Sequence, residues 1–418
     1  MPRWLWFLKI LSSRLWLWTS IYAAVAVVTA LVSIYFKQFI PEDWPRMIGA
    51  DAAGGLLNIL ASSMLAVTIF SVSTMVAAYG AATSSVTPRA TKLLLEDKIS
   101  HNALSVFVGS FIFSIVGLVA LQAGAYGEAG RLILFVVTIA VISVIIVTLL
   151  RWMEYVARLG RVNETIHKVE DAAALALRER LRQPYLGGTA LMDESVIPMD
   201  SHWVFASDIG YVQYIDMSHL SQVAEDKGGT IYVFAMPGKF VDPAQPLVAV
   251  AGIKDPDCLK AIPKAFIIDR ERSFRQDPRY GLAVLCEIAT RALSPAINDP
   301  GTAIHIISVG VRVLSLWAKR SELAEDDQTA IYPRVHVPPL RADDLFDDMF
   351  PPIARDGAGI MEAALRLQKA FISLHGTGDA DLQQAAQAHA RLALKRSLRA
   401  LTLDEDKERI SATSLAGG

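Results

Sequence analysis

The sequence is short of charge, of cysteine and of any known catalytic signature. Only 20% of its 418 residues are Asp, Glu, Lys or Arg, while 53% are hydrophobic. With a mean hydropathy of +0.36, this balance is foreign to an ordinary soluble protein and normal for a membrane protein with a large polar-surfaced part. The formal net charge is −2, so no basic field exists to draw in nucleic acid, and no nucleic-acid partner is expected. The two cysteines, Cys258 and Cys286, are too few for a disulfide framework and lack CxxC spacing. They read as small buried apolar residues. His101, His167, His202, His219, His305, His336, His375 and His389 are scattered, and none pairs at a metal-ligand spacing. No metal and no cofactor are expected. GxSxG, Walker A, HExxH and GxGxxG are all missing, so no catalytic residue is assigned and the chain is read as a non-enzyme.

What the sequence does have is four apolar runs, at about 16–36, 54–79, 103–126 and 131–150, each long enough to cross a bilayer. Trp4, Trp6, Trp16 and Trp18 at the start fit an interfacial anchor, with Arg3, Lys9 and Arg14 among them. A signal peptide is disfavoured, because the first apolar run is long and no clear small-x-small cleavage site follows. Arg89, Lys92, Lys98, Arg151, Arg158 and Arg161 fall on the side of the N-terminus, against Lys37, Arg46 and Arg131 on the other. The positive-inside bias then places both termini in the cytoplasm of a bacterial inner membrane. The lipid bilayer is the one certain partner on this reading, and a homo-oligomer is expected.

The second run is unlike its neighbours. It carries Asn58, Ser62, Ser63, Thr68, Ser71, Ser73, Thr74, Thr83, Ser84 and Ser85, and it stops at Pro88-Arg89. At about 100° per residue, Asn58, Ser62, Ser73, Thr83 and Ser84 point near one direction, and Ser63, Ser71, Thr74 and Ser85 near another. Such positions serve interhelical hydrogen bonding or the wall of a water-filled path. No acidic or basic side chain lies within the four cores, which disfavours proton pumps and most ion-coupled carriers. Gly109, Gly117 and Gly124 of the third run suit close helix contact, and the aliphatic fourth run suits lipid. Arg89 is placed at headgroup depth.

Beyond residue 150 the expectation is a cytoplasmic α+β domain. Residues 151–183 show helical periodicity with no proline before Pro184, so the fourth span is expected to run on as a stalk. Residues 195–275 read as a β-rich module of sandwich or barrel shape. Residues 276–321 read as a pair of helices, and 322–418 as an acidic surface excursion, further helices and a frayed tail. Between the paired helices lies SPAINDPGT, where Asp299 suits an N-cap and Pro300 a first helical residue. The corner is a helix connection, or an anion or ligand site formed by Arg291, Ser294, Asn298, Asp299 and Thr302 at the free amides of the second helix.

Three of these stretches carry a resemblance. Residues 62–71, 84–89 and above all 289–303 resemble the bacterial predicted integral membrane proteins of domain-of-unknown-function family 2254. The likeness covers nearly the whole chain and is weakest after about residue 322. This sequence departs from the pattern in having Val86 where an aromatic residue is usual and Gly301 where a bulkier one is. The resemblance implies topology rather than chemistry. The combined expectation is an α-helical bundle of four transmembrane helices followed by the cytoplasmic domain. Its role would be that of an oligomeric pore or permeation protein, or alternatively of a membrane-anchored sensor or scaffold that binds a small anion or protein partner.

Overall fold

The computed structural model describes residues 15–35, 50–95, 97–126, 128–324 and 330–415. The basic, tryptophan-rich start and most of the stretch 37–53 between the first two apolar runs, expected as an external loop or short surface helix, lie outside them. The chain divides into two compact units, one ending at Thr165 and one running from Ile166.

The first unit is built of helices α1 (Leu15–Tyr35), α2 (Ala50–Ser85), α3 (Pro88–Leu95), α4 (Lys98–Gln122) and α5 (Glu128–Arg158). Stretches Ala52–Thr83, Ile99–Gln122 and Gly130–Arg158 are each long and apolar enough to cross a membrane. Helix α1 adds 21 residues without one charged side chain, about 32 Å at 1.5 Å per residue. Glycine sets the contacts. A Cβ on Gly109 would meet Tyr22 Cβ at 3.2 Å, and one on Gly117 would meet Leu57 Cδ1 at 3.2 Å, so α1 and α2 both lie close on α4. Thr19 Oγ1 and Ser105 Oγ add a hydrogen bond at 3.3 Å, and Tyr22 donates to Asn102 Oδ1 at 2.9 Å. Gly124 serves differently: its φ of +71° ends α4, and a Cβ there would touch nothing within 4 Å. Phe107 and Phe113 are fully buried in this unit, whereas Val136, Ile139, Val144, Ile146, Val147 and Leu150 of α5 are exposed.

The expected continuous stalk is broken. Helix α5 ends at Arg158 and α6 (Val162–Arg182) begins after Gly160, whose φ is +85°. Glycine adopts this left-handed conformation at a helix end without the Cβ penalty of other residues. The helical periodicity of 151–183 survives the interruption, which is why it masked the break.

The second unit holds two sheets and a helical layer. Strands β1 (Gly188–Ala190), β2 (His202–Phe205) and β3 (Gly210–Ile215) precede helix α7 (Met217–Asp226). Then come β4 (Thr230–Val233), β5 (Phe240–Val241), β6 (Pro246–Ala251), α8 (Pro256–Ala261) and β7 (Phe266–Asp269). Helices α9 (Pro278–Ala292), α10 (Pro300–Leu314) and α11 (Arg320–Leu323) lead to β8 (Tyr332–Val337), and α12 (Ala342–Met349), α13 (Pro351–Asp356), α14 (Met361–His375), α15 (Ala380–Ala400) and α16 (Asp404–Thr413) follow. The larger sheet has the order β1-β8-β4-β6-β2, and the smaller one β5-β3-β7.

The larger sheet is mixed, with β8 parallel to both β1 and β4 and the remaining pairs antiparallel. The sheet thus reaches beyond the module of sandwich or barrel shape expected of 195–275. The reason is β8, which comes from the stretch expected to be a surface excursion. Val335 and Val337 are fully buried and pair it into the sheet interior, with Val335 opposite Ile231. The tail also differs: Ile410 of α16 is fully buried, and Ser414 Oγ donates to Gln368 Oε1 at 3.0 Å.

The helical layer has an aromatic centre. Phe346, Phe350 and Phe371 are buried and their rings contact one another at 4.9–6.5 Å. Helix α9 lies close on α6, since a Cβ on Gly281 would stand 2.4 Å from Ala173 Cβ. Cys286 is buried in α9, and burial pushes its thiol up to about 12, which leaves it an inert packing group.

Candidate functional site

Helix α2 has two opposite faces. Ala53, Leu57, Leu60, Ala61, Met64, Ser71, Met75 and Ala82 are buried and recur at spacings of three and four, the mark of one helical face. Gly55, Asn58, Ser62, Ala66, Ile69, Ser73, Ala77 and Gly80 are all exposed. At about 100° per residue, this second set centres on the direction opposite the first. It is a stripe of small and polar residues, and the same arc also holds the exposed apolar side chains of Ile59, Ile69 and Val76. Nothing lies within 4 Å of a Cβ built on Gly55 or Gly80. Ser84 continues the stripe by register, though its side chain lies outside the described residues; Thr83, exposed, flanks it.

Five hydroxyls of α2 are met by the helix itself. Ser62 Oγ donates to the carbonyls of Asn58 (3.0 Å) and Ile59 (3.1 Å), and Ser63 Oγ to Leu60 (3.3 Å). Thr68, Thr74 and Thr83 donate to Met64 (2.6 Å), Phe70 (2.9 Å) and Tyr79 (2.8 Å). This back-bonding lets a hydroxyl reside in an apolar medium without a partner helix. Ser71 Oγ is buried with no hydrogen-bond partner. Asn58 differs from the hydroxyls. Its carboxamide has more donors and acceptors than a helix can meet, and among the described residues its side chain forms no hydrogen bond. Facing lipid, such a group costs about 1–3 kcal/mol, a cost that water or a neighbouring subunit removes.

Helix α2 gives way to α3 at Val86–Thr87, where Thr87 Oγ1 accepts from Ala90 N at 3.3 Å. Helix α3 buries Ala90, Thr91 and Leu94 and leaves Arg89 exposed at its first turn. The helix carrying the third apolar run starts at Lys98, before residue 103. Asp97 caps α4 by accepting from Ile99 N at 2.8 Å, and the span Ile99–Gln122 includes Ser100 and His101, both buried. Tyr79 and Tyr155 have Ser100 and Asp97 as polar neighbours. The candidate stretch thus includes His101, which a run taken from residue 103 leaves out.

The SPAINDPGT corner is closed upon itself. Ser294 Oγ donates to Arg291 O at 2.6 Å, and Asp299 N donates to Ala292 O at 2.8 Å. Asn298 takes a φ of +50°, in the left-handed region that asparagine tolerates better than most residues. Asp299 then caps α10, accepting from Thr302 N at 3.0 Å and from Thr302 Oγ1 at 2.6 Å. These bonds, the hydroxyl's first, hold the Asp299 carboxyl below its usual range. The carboxylate thus occupies the amide position that a bound anion would take. These bonds join Ser294 to Arg291, Asn298 to Ser294 and Asp299 to Thr302 within the connection between α9 and α10. Among the described residues, no group of three or more His, Cys, Asp or Glu is placed to hold a metal ion.

Residues 12–373 match the predicted membrane protein family DUF2254, and the chain belongs to that family. It is similar to uncharacterized protein Rv1290c of Mycobacterium tuberculosis and uncharacterized protein Mb1321c of Mycobacterium bovis. Each is 25% identical over 289 residues, which is 64% of this chain and 53% of the relative. The chain thus spans about half the length of these curated relatives. No solved structure matches.

Proposed function

We propose that this membrane protein assembles as a homo-oligomer around helix α2 and forms a passive permeation path across the bacterial inner membrane. The observation that carries the proposal is the outward stripe from Gly55 to Gly80, opposite the face on which α2 packs in its own protomer. Small residues let helices approach closely, and their hydroxyls and the Asn58 amide give water something to bind. The stripe holds no ionised group, so the path selects weakly by charge. Ile69, 59% exposed, lies midway along it and supplies a constriction that gates by dewetting. The distribution of basic residues orients the protein with both termini in the cytoplasm, where the second unit acts as the regulatory domain.

Purified protein reconstituted into planar bilayers tests this reading. The expected result is a conductance reduced by Ser62→Leu and Ser73→Leu and raised by Ile69→Ser. Silent bilayers containing correctly folded oligomer would sink it. A role as a membrane-anchored sensor loses its simplest ligand seat, because Asp299 already caps the helix at the corner.

A further inference from the structure

The second unit contains a cavity of about 450 Å³, lined in part by Arg180, Arg182, Tyr185, Trp317, Arg320 and Ser321. Its size is that of a small-molecule site. Among the described residues the lining includes three arginines and neither Asp nor Glu.

Arg180 stands out among them. It is only 6% exposed, and its Nε and Nη1 have no hydrogen-bond partner. Burial pushes it down to about 10, against a raising influence from Asp277. Asp277 is already committed elsewhere: its Oδ2 accepts from Arg272 Nε at 2.8 Å, and its Oδ1 from the amides of Arg279 (3.1 Å) and Tyr280 (3.2 Å). A buried guanidinium with unused donors is costly unless a counter-charge arrives. Arg320, also in the lining, is anchored by ion pairs to Asp379 and Asp381 with its guanidinium over the Trp317 ring. Arg182 is exposed at the rim.

We infer that this cavity binds a small phosphorylated molecule, with its phosphate on Arg180 and Arg182. Phosphate matches the planar fork of a guanidinium and carries enough charge for two of them. The aromatic lining, Tyr185 and Trp317, suits a ring attached to that phosphate. The inference is independent of the permeation path and stands or falls without it.

Thermal unfolding of the full chain in detergent, titrated with inorganic phosphate, adenosine monophosphate and succinate, tests it. Phosphate and the nucleotide are expected to raise the melting temperature, the nucleotide at lower concentration, and succinate to do so less. A short-chain phosphatidic acid identifies the source: a shift greater than the nucleotide's would overturn the small-molecule assignment. Arg180→Gln removes charge-assisted bonds, so affinity should fall about 10- to 100-fold. Should that variant misfold, Ser321→Trp fills the mouth from an exposed position and should abolish the shift while the protein remains folded. No shift with phosphate or nucleotide in the native protein, an equal shift with succinate, or shifts that persist in folded variants would each overturn the proposal.

Discussion

Helices α2 and α10 are a pair that hydropathy alone does not separate. Both Ala52–Thr83 and Pro300–Leu323 are long and apolar enough to be taken for membrane spans. The second stretch is not one helix: α10 stops at Leu314, and a 3₁₀ turn at Trp317–Lys319 separates it from α11. At 15 residues, α10 is about 22 Å long, short of a hydrocarbon core of about 30 Å. Its apolar face is spent inside the second unit, where Ala303, Ile306, Ile307, Val309 and Val313 are buried. Its polar face holds Arg312, bidentate on Glu170 at 2.6 and 2.8 Å. Helix α2 is 36 residues long and leaves a small-residue stripe uncovered. Apolar content therefore marks burial in lipid and burial in protein alike. Helix length and the nature of the uncovered face tell them apart.

Six substitutions sharpen this contrast, and unfolding of the whole protein in detergent reads their effect on stability. The largest effect is expected at Phe371, fully buried in the aromatic centre of the second unit. Phe371→Ala should cost about 3–5 kcal/mol, whereas Phe70→Ala on α2, at a side chain 70% exposed, should stay within about 0.5 kcal/mol. Similar losses at both positions would break the distinction between the two regions.

Glycine gives the next contrast. Gly281→Ala drives a Cβ to 2.4 Å from Ala173 Cβ and 2.7 Å from its Cα, for an expected loss of about 1–3 kcal/mol. Gly80→Ala meets open space and should leave the protomer as stable as before, with any effect confined to oligomer mass by light scattering.

Smaller still is the cap of α10. Asp299→Ala should cost about 1 kcal/mol, and loss of melting temperature without loss of any ligand-induced shift would mark the corner as structural.

The smallest effect is a pH dependence. The Arg312 guanidinium, hydrogen-bonded to it, holds Glu170 below its ordinary value of 4.5, with His167 adding to the shift. A depressed folded value contributes stability that is present above pH 4.5 and lost as pH falls through the folded value. For a pair this exposed the contribution is about 0.5–1 kcal/mol. Glu170→Gln should therefore flatten the acid limb of stability below pH 4.5 and change little at neutral pH; an unchanged acid limb would deny the pair that role.

Much of this was legible in the sequence because its cause is local. Apolar run length revealed the spans of the first unit, and Asp299-Pro300 revealed the start of α10. The direction of Asn58, Ser62 and Ser73 followed from helical geometry. What was hidden depends on distant chain. Strand β8 is short, contains Pro333 and follows an acidic stretch, and only its pairing with β1 and β4 reveals it as interior. Arg180 lies among exposed Arg178, Glu179 and Arg182, a pattern that reads as a solvated helix end until the fold buries one of the four. The break at Gly160 was hidden because periodicity continues on both sides of it.

The central claim is that the stripe on α2 faces other copies of the same helix. Disulfide cross-linking in native membranes tests it most directly, with Cys258 and Cys286 first replaced by alanine. Ser73→Cys and Ala66→Cys should form disulfide-linked dimers under mild oxidation, while Met64→Cys and Met75→Cys, on the buried face, should remain monomeric. Cross-linking absent at positions 66 and 73, or equally strong at 64 and 75, would contradict the account.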